Sequence, residues 1–173
     1  MNASVPLRLK AFAIDYIFIC AYLALLFVFS VFVFPSVQQW FVGSPAIAQL
    51  SGFALVTMPV SLYFIVCESR RDGQTPGKKI AGIRVVDLNA GRLSVPRAAV
   101  RTLLKFIPWE LSHFMVYRFV HAGDGEPPLV AYIAGGVVYA LMIAYTATAI
   151  FSRRKQALYD VIARTQAVDT RSL

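Results

Sequence analysis

Three uninterrupted apolar runs decide what this chain can be. Residues 11–34, 46–67 and 129–151 are 22 to 24 residues long and carry at most one charge each. As helices they measure roughly 33–36 Å at 1.5 Å per residue, enough for the ~30 Å hydrocarbon core of a bilayer. Composition agrees. Hydrophobic residues make up 58% of the 173 and charged residues 15%, against about 25% charged in a soluble domain. The first run exceeds the ~7–15 residues of a signal-peptide core, and no A-x-A-like cleavage site precedes the turn at Pro35. The expectation is an integral membrane protein whose first partner is the lipid bilayer.

The net charge of +8 invites a nucleic-acid reading, but its distribution follows the positive-inside bias of membrane proteins. Arg8 and Lys10 precede the first run, and the loop 35–45 has no charge. Arg70, Arg71, Lys78, Lys79, Arg84, Arg92, Arg97, Arg101 and Lys105 follow the second run. Arg153, Arg154, Lys155, Arg164 and Arg171 follow the last. Three crossings would strand this last group on the wrong side, and a fourth, over residues 98–120, repairs that. This segment holds Arg101, Lys105, Glu110, His113 and Arg118, with Pro108 in the middle. An in-plane or re-entrant helix is the alternative. With a fourth crossing, sixteen of the seventeen basic residues lie inside and only Arg118 lies outside.

The sequence thus predicts an all-α integral membrane protein. Four transmembrane helices occupy residues 11–34, 46–67, 98–120 and 129–151, and both termini are cytoplasmic. A cytoplasmic loop, 68–97, joins spans two and three. In it, Gly73-Gln74-Thr75-Pro76-Gly77 is turn chemistry, and residues 80–87 have β-branched, strand-like content. Asn89-Ala90-Gly91 reads as a hairpin turn, with residues 92–95 returning as the second strand. In the tail, residues 156–163 have helical character and 165–168 form a strand candidate; 169–173 trail behind. The segment 5–168 reads as one domain. No phosphate loop, dinucleotide fingerprint or metal-binding histidine motif occurs, so neither an enzyme nor a cofactor is expected. Cys20 and Cys67 read as small hydrophobes inside spans.

The ionisable residues inside the spans are the candidates for function. Asp15 lies within an apolar run, where a carboxylate costs roughly 2.5–3.5 kcal/mol and needs a partner or a wet cavity. Arg8, seven residues earlier, shares its helix face, and Arg101 or Lys105 from the third span is at a suitable depth to pair with it. Two readings stand: a buried ion pair that fixes helix register, and a proton- or cation-binding carboxylate. Glu110 and His113, at i and i+3, face the same way. They either line a wet path beside Pro108, whose missing N–H frees the carbonyl of Leu104, or sit at the outer interface. Lys78 and Lys79 fit anionic lipid head groups at the membrane surface. Asp160 caps a tail helix or pairs with Arg70, Arg71 or Arg84.

Several of these residues form ordered motifs. They are R-L-K-A-F-A-I-D (Arg8 to Asp15), D-G-Q-T-P-G-K-K-I-A-G-I-R-V-V-D (Asp72 to Asp87), Arg97-Ala98-Ala99-Val100-Arg101 and K-Q-A-L-Y-D, ending at Asp160. In these the chain resembles the RDD family of small bacterial membrane proteins, named for an arginine and two aspartates, here Arg8, Asp15 and Asp160. The most specific segment is Thr75-Pro76-Gly77-Lys78. Tyr159 departs from the pattern, which more often has histidine. The resemblance implies a multi-pass protein of the bacterial inner membrane. Some members are linked to cation–proton exchange, which implies protons or small cations as partners; Asp15, Arg101 and, outside the family pattern, Glu110 and His113 are the candidate residues in the spans. A path through so small a bundle implies a homo-oligomer. The other class of function is a non-transport scaffold or partner-binding module acting through the basic loop.

The charge distribution carries a direct test. Single cysteines at Ser44 and Asp124 should react with an impermeant thiol reagent from outside, and one at Asn89 should not. Outside labelling at Asn89 inverts the orientation, and protection at Asp124 removes a crossing.

Overall fold

A computed structural model describes residues 2–170. Helix α1 (Val5–Val28) runs on through a π-helical turn, Phe29–Val33. A 3-10 turn and the single-turn helix α2 (Gln39–Val42) follow. Helices α3 (Pro45–Gly52) and α4 (Met58–Ser69) are joined by a second π-helical turn, Phe53–Thr57, into one rod. After α5 (Pro76–Ala81) and strand β1 (Ile83–Asp87) come the long helices α6 (Val95–Ala122) and α7 (Leu129–Phe151). Helix α8 (Leu158–Ile162) and strand β2 (Thr165–Asp169) end the chain.

Three helical segments are long and apolar enough to cross a membrane: Val5–Val33, Pro45–Ser69 and Leu129–Phe151. Their large side chains point outward, with Leu25, Phe32, Tyr139 and Ile143 each about two-thirds or more exposed. In α1 the buried residues are Ala11, Asp15 and Ile19. That is a single stripe at four-residue spacing, which leaves the rest of the helix to the solvent of the bilayer. The last apolar run matches α7 residue for residue. Helix α1 begins six residues before its run, because Arg8 and Lys10 interrupt hydropathy without interrupting a helix that starts at Pro6.

The long helices pack antiparallel to their neighbours in the order α1, α3–α4, α6, α7. Tyr22 meets Leu55 while Asp15 meets Tyr63. The Phe64 and Phe106 rings meet at a tilt, with centroids 5.8 Å apart. Tyr145 meets Leu104 while Phe119 meets Tyr132. The N-terminus, the 70–95 segment and the tail therefore gather at one end, called here the polar end.

Two prolines lie inside these rods, and each removes an N–H that would have bonded the carbonyl four residues back. Pro108 frees Leu104 O, and the Tyr145 hydroxyl donates to it at 2.6 Å. Pro59 frees Leu55 O, and the Tyr22 hydroxyl donates to it, also at 2.6 Å. A backbone acceptor left open in lipid costs several kcal/mol, so these tyrosines let both helices continue. The Leu104 carbonyl is thereby occupied by protein rather than left to a wet path.

The expected hairpin does not form. Strand β1 pairs antiparallel with β2, Ile83 opposite Asp169 and Asp87 opposite Thr165, and Asn2 bridges Val168. The turn at 88–91 is present, with Ala90 at φ 61° and Asp87 N–H donating to Gly91 O. Residues 92–94 then lead into α6 instead of returning. The strand in the tail was expected; its pairing, which includes Asp169 from the residues expected to trail, was not. Gly73, at φ 61°, approaches Val85 so closely that a β-carbon would collide with its carbonyl oxygen. This contact ties the turn after α4 to the sheet.

Tyr145→Phe should lower stability by about 0.6–1.7 kcal/mol, the span measured for interhelical hydrogen bonds in membranes. The loss should shrink in a Pro108→Ala background, where the restored N–H can serve Leu104 O. Unfolding in mixed micelles measures the cycle, and equal losses in both backgrounds would refute the proline–tyrosine pairing.

Candidate functional site

Two buried carboxylates at the polar end, Glu68 and Asp160, pair with cations from other elements. Arg101, on the second turn of α6, donates through Nη1 to Glu68 Oε2 at 2.5 Å and through Nε to Asp160 Oδ1 at 2.8 Å. Lys78 Nζ donates to the other Glu68 oxygen at 2.6 Å. Arg8 Nη1 donates to Asp160 Oδ2 at 2.9 Å, and Thr165 adds its hydroxyl to Oδ1. Glu68 and Asp160 are fully buried. The Tyr159 ring lies 5.3 Å from the Arg101 guanidinium and edge-on to Tyr145. Burial, reinforced by the Asp160 carboxylate, pushes the Tyr159 phenol up to about 12, so it stays neutral.

Asp15 stands apart from this network. Its Oδ1 accepts from the Tyr63 hydroxyl at 2.8 Å and from Gly77 N–H at 2.8 Å; its Oδ2 accepts from Thr75 Oγ1 at 2.5 Å. Thr75 is also the N-cap of α5, accepting from Lys78 N–H at 3.2 Å. Pro76 follows at the first helical position, where its missing N–H is harmless. Gly77 is required by proximity, since a β-carbon there would strike the Ala11 carbonyl oxygen. The Thr-Pro-Gly-Lys motif is therefore a helix start shaped to seat on Asp15, and its lysine locks Glu68. The expected pairing of Asp15 with Arg101 or Lys105 is corrected: three neutral donors satisfy it, and Arg101 is consumed by Glu68 and Asp160. The partners expected for Asp160, Arg70, Arg71 or Arg84, are likewise replaced by Arg8 and Arg101. Of the two loop lysines, Lys79 is exposed and Lys78 is buried.

A second polar cluster lies in the half of α6 away from the polar end, against the π-helical turn of the α3–α4 rod. Glu110 accepts from Gln49 Nε2 at 2.9 Å and, through a very short bond, from the Thr57 hydroxyl. His113 Nδ1 lies 3.5 Å from Glu110 Oε1, one turn along as the spacing predicts. Trp109 Nε1 donates to Thr57 Oγ1 at 3.2 Å. The His113 ring rests between Trp109 and Tyr117, with centroids 4.9 and 6.0 Å away. His113 Nδ1 is buried without a well-formed hydrogen bond. An apolar cavity of about 330 Å³ lies beside Glu110 between α4 and α6, with Ser61 and Thr57 on its wall.

Sequence reasoning singled out Arg8, Asp15, Arg101, Glu110, His113 and Asp160 and the Thr75–Lys78 motif. The structure joins Arg8, Arg101, Lys78 and Asp160 in one network, seats Thr75 and Gly77 on Asp15, and holds Glu110 with His113 apart from both. Glu68, Tyr63, Gln49 and Thr57 were missed. Only Glu68 had a signal: it is the acid that ends the second apolar run. The other three are neutral residues whose roles depend on which helices meet.

Three rods long and apolar enough to cross a membrane, charge collected at one end and carboxylates held by side chains from other helices mark a helical membrane protein. Its sequence matches the RDD family profile over residues 2–164, and the chain belongs to the RDD family. No curated protein and no solved structure matches it.

The geometry separates two kinds of substitution. Glu68→Gln breaks two buried charge contacts and should cost about 3–5 kcal/mol, enough to lower the yield of folded protein. Asp15→Asn should cost about 1–3 kcal/mol, because one donor loses its acceptor, and should loosen α5. Thermal melts with limited proteolysis across residues 70–82 measure both. An Asp15→Asn protein that melts and digests like the parent would remove Asp15 from its anchoring role.

Proposed function

We propose that this protein exchanges protons, and through them small cations, across the bacterial inner membrane, with Glu110 and His113 as the proton-binding pair. In this reading α6 is the fourth crossing and the polar end faces the cytoplasm. Three observations support the crossing: 28 residues, about 42 Å long at 1.5 Å per residue; antiparallel packing between α4 and α7; and the meeting of both chain ends at the polar end. The positive-inside bias supports the orientation.

One observation carries the assignment. Asp15, Glu68, Asp160 and Glu110 are the four carboxylates held within the helical framework. Glu68 and Asp160 face fixed cations, and Asp15 is enclosed by three donors that also hold the fold. Glu110 has two neutral donors and an imidazole, and histidine is the residue whose charge changes near neutral pH. Acid–histidine pairs at membrane depth are the usual parts of proton relays. The adjacent π-helical turn is a common mark of functional helices. Four long helices form a small bundle, so the reading includes a homo-oligomer that completes the path.

Proteoliposomes under a pH gradient, read by an internal pH dye with Na⁺ or K⁺ outside, test this. Glu110→Gln should reduce flux at least tenfold, His113→Gln should displace its pH dependence, and Asp15→Asn should retain flux per folded molecule. Full flux in Glu110→Gln removes the assignment. A cysteine scan over residues 106–117 that labels only at its two ends removes the wet path, and the scaffold reading then takes its place.

A further inference from the structure

Four cations meet three carboxylates at the polar end: Arg8, Lys78, Arg101 and Lys105 against Asp15, Glu68 and Asp160. The surplus is Lys105. Among the described residues it makes no hydrogen bond and no ion pair; its ammonium lies 3.6 Å from the Phe64 ring centroid and 6.0 Å from that of Phe12. An ammonium against aromatic faces is attracted by their quadrupoles but keeps its charge without a counter-ion. Arg8 is also incompletely used. Its Nη1 and Nε are bonded, while Nη2 is buried without a partner.

Both residues line one cavity of about 250 Å³. Leu9 and Phe12 of α1 form one rim, and Tyr145 and Ala149 of α7 form the other. Leu9 and Phe12 are half exposed or more, continuous with the apolar outer face of α1. The Asp15 and Arg101 side chains also reach the cavity, but both are already engaged, by three donors and by two carboxylates. The space is too small for a whole lipid and opens between two membrane helices. A group that fills it carries one negative charge at the inner end and hydrocarbon at the outer.

We propose that this cleft binds the phosphate of an anionic phospholipid from the adjacent leaflet, with Lys105 Nζ as the donor and the Arg8 guanidinium in the cleft wall adding positive charge, the acyl chains lying along Leu9 and Phe12. The site is independent of Glu110 and His113. It also differs from diffuse attraction to the exposed loop, because its cations are enclosed and Lys79, the exposed lysine, is not among them.

Native mass spectrometry of the purified full chain in detergent, titrated with phosphatidylglycerol, tests the site. Phosphatidylcholine and inorganic phosphate serve as comparison probes. The intact chain should retain one phosphatidylglycerol in preference to phosphatidylcholine. Lys105→Gln should weaken retention about tenfold, the loss of one charge-assisted hydrogen bond. Lys105→Arg should keep most of it, and Lys79→Gln should match the parent. Ala149→Phe, which fills the cleft from α7 and leaves every charge in place, should also lose the lipid, and it serves as the test if Lys105→Gln does not fold. Equal retention of the two lipids overturns the proposal, as does a loss in Lys79→Gln equal to that in Lys105→Gln. Displacement of the lipid by millimolar inorganic phosphate would make the ligand a soluble anion and overturn the lipid assignment.

Discussion

The arrangement of this protein depends on one guanidinium. Arg101 enters the bundle on α6 and finds Glu68 from the end of α4 on one side and Asp160 from α8 on the other. Each carboxylate then takes a second cation, Lys78 from α5 and Arg8 from α1. Buried ion pairs seldom add net stability, because desolvation cancels most of the Coulomb gain. Their consequence here is geometric. Any displacement of α1, α4, α5, α6 or α8 relative to the others leaves a charge alone in a low-dielectric interior, at several kcal/mol. Helices that otherwise meet through apolar side chains in a solvent equally apolar have little else to set their depth.

The same logic explains the Thr-Pro-Gly-Lys segment. A six-residue helix has little stability of its own. Helix α5 is held at its start by Asp15, through Thr75 and the Gly77 amide, and further along by Lys78 on Glu68. At its C-terminus Gly82, at φ 70°, turns the chain into β1. The sheet then closes the polar end by pairing β1 with a strand more than eighty residues later. Arg8 and Asp160 are thus direct partners across nearly the whole chain, while Asp15 serves a separate junction.

How much of this could be read from sequence follows from the range of each interaction. The apolar helices were legible because hydropathy is a local property, and α7 was located to the residue. The i, i+3 placement of Glu110 and His113 followed from helical pitch alone. Partner choice was not legible. Nothing in the order of residues says that Tyr145, rather than water, covers Leu104 O, or that Tyr63 and Thr75 reach Asp15 before Arg101 does. The missed strand pairing has the same cause: Asn89-Ala90-Gly91 forms its turn, but whether the chain returns beside β1 depends on a competing strand from the tail. Long-range complementarity decides both, and it carries no local signature.

Satisfied and unsatisfied polar groups divide the molecule by task. Where carboxylates meet fixed cations or convergent donors, their contacts hold several helices together, so these sites keep the architecture. Glu110 and His113 interact on a single helix, and their other partners, Gln49 and Thr57, sit on one neighbouring rod. A charge change there stays within one helix–helix contact. The surplus cation Lys105 lies five residues from Glu110, about 7.5 Å along α6 at 1.5 Å per residue. Lys105 and Glu110 therefore bracket Pro108 on either side. The stretch of α6 that carries Lys105 and the acid–histidine pair is one whose backbone ladder is already broken and patched by a tyrosine. Adjustment of this segment disturbs fewer fixed contacts than movement at the polar end, which is the physical reason to seek activity there.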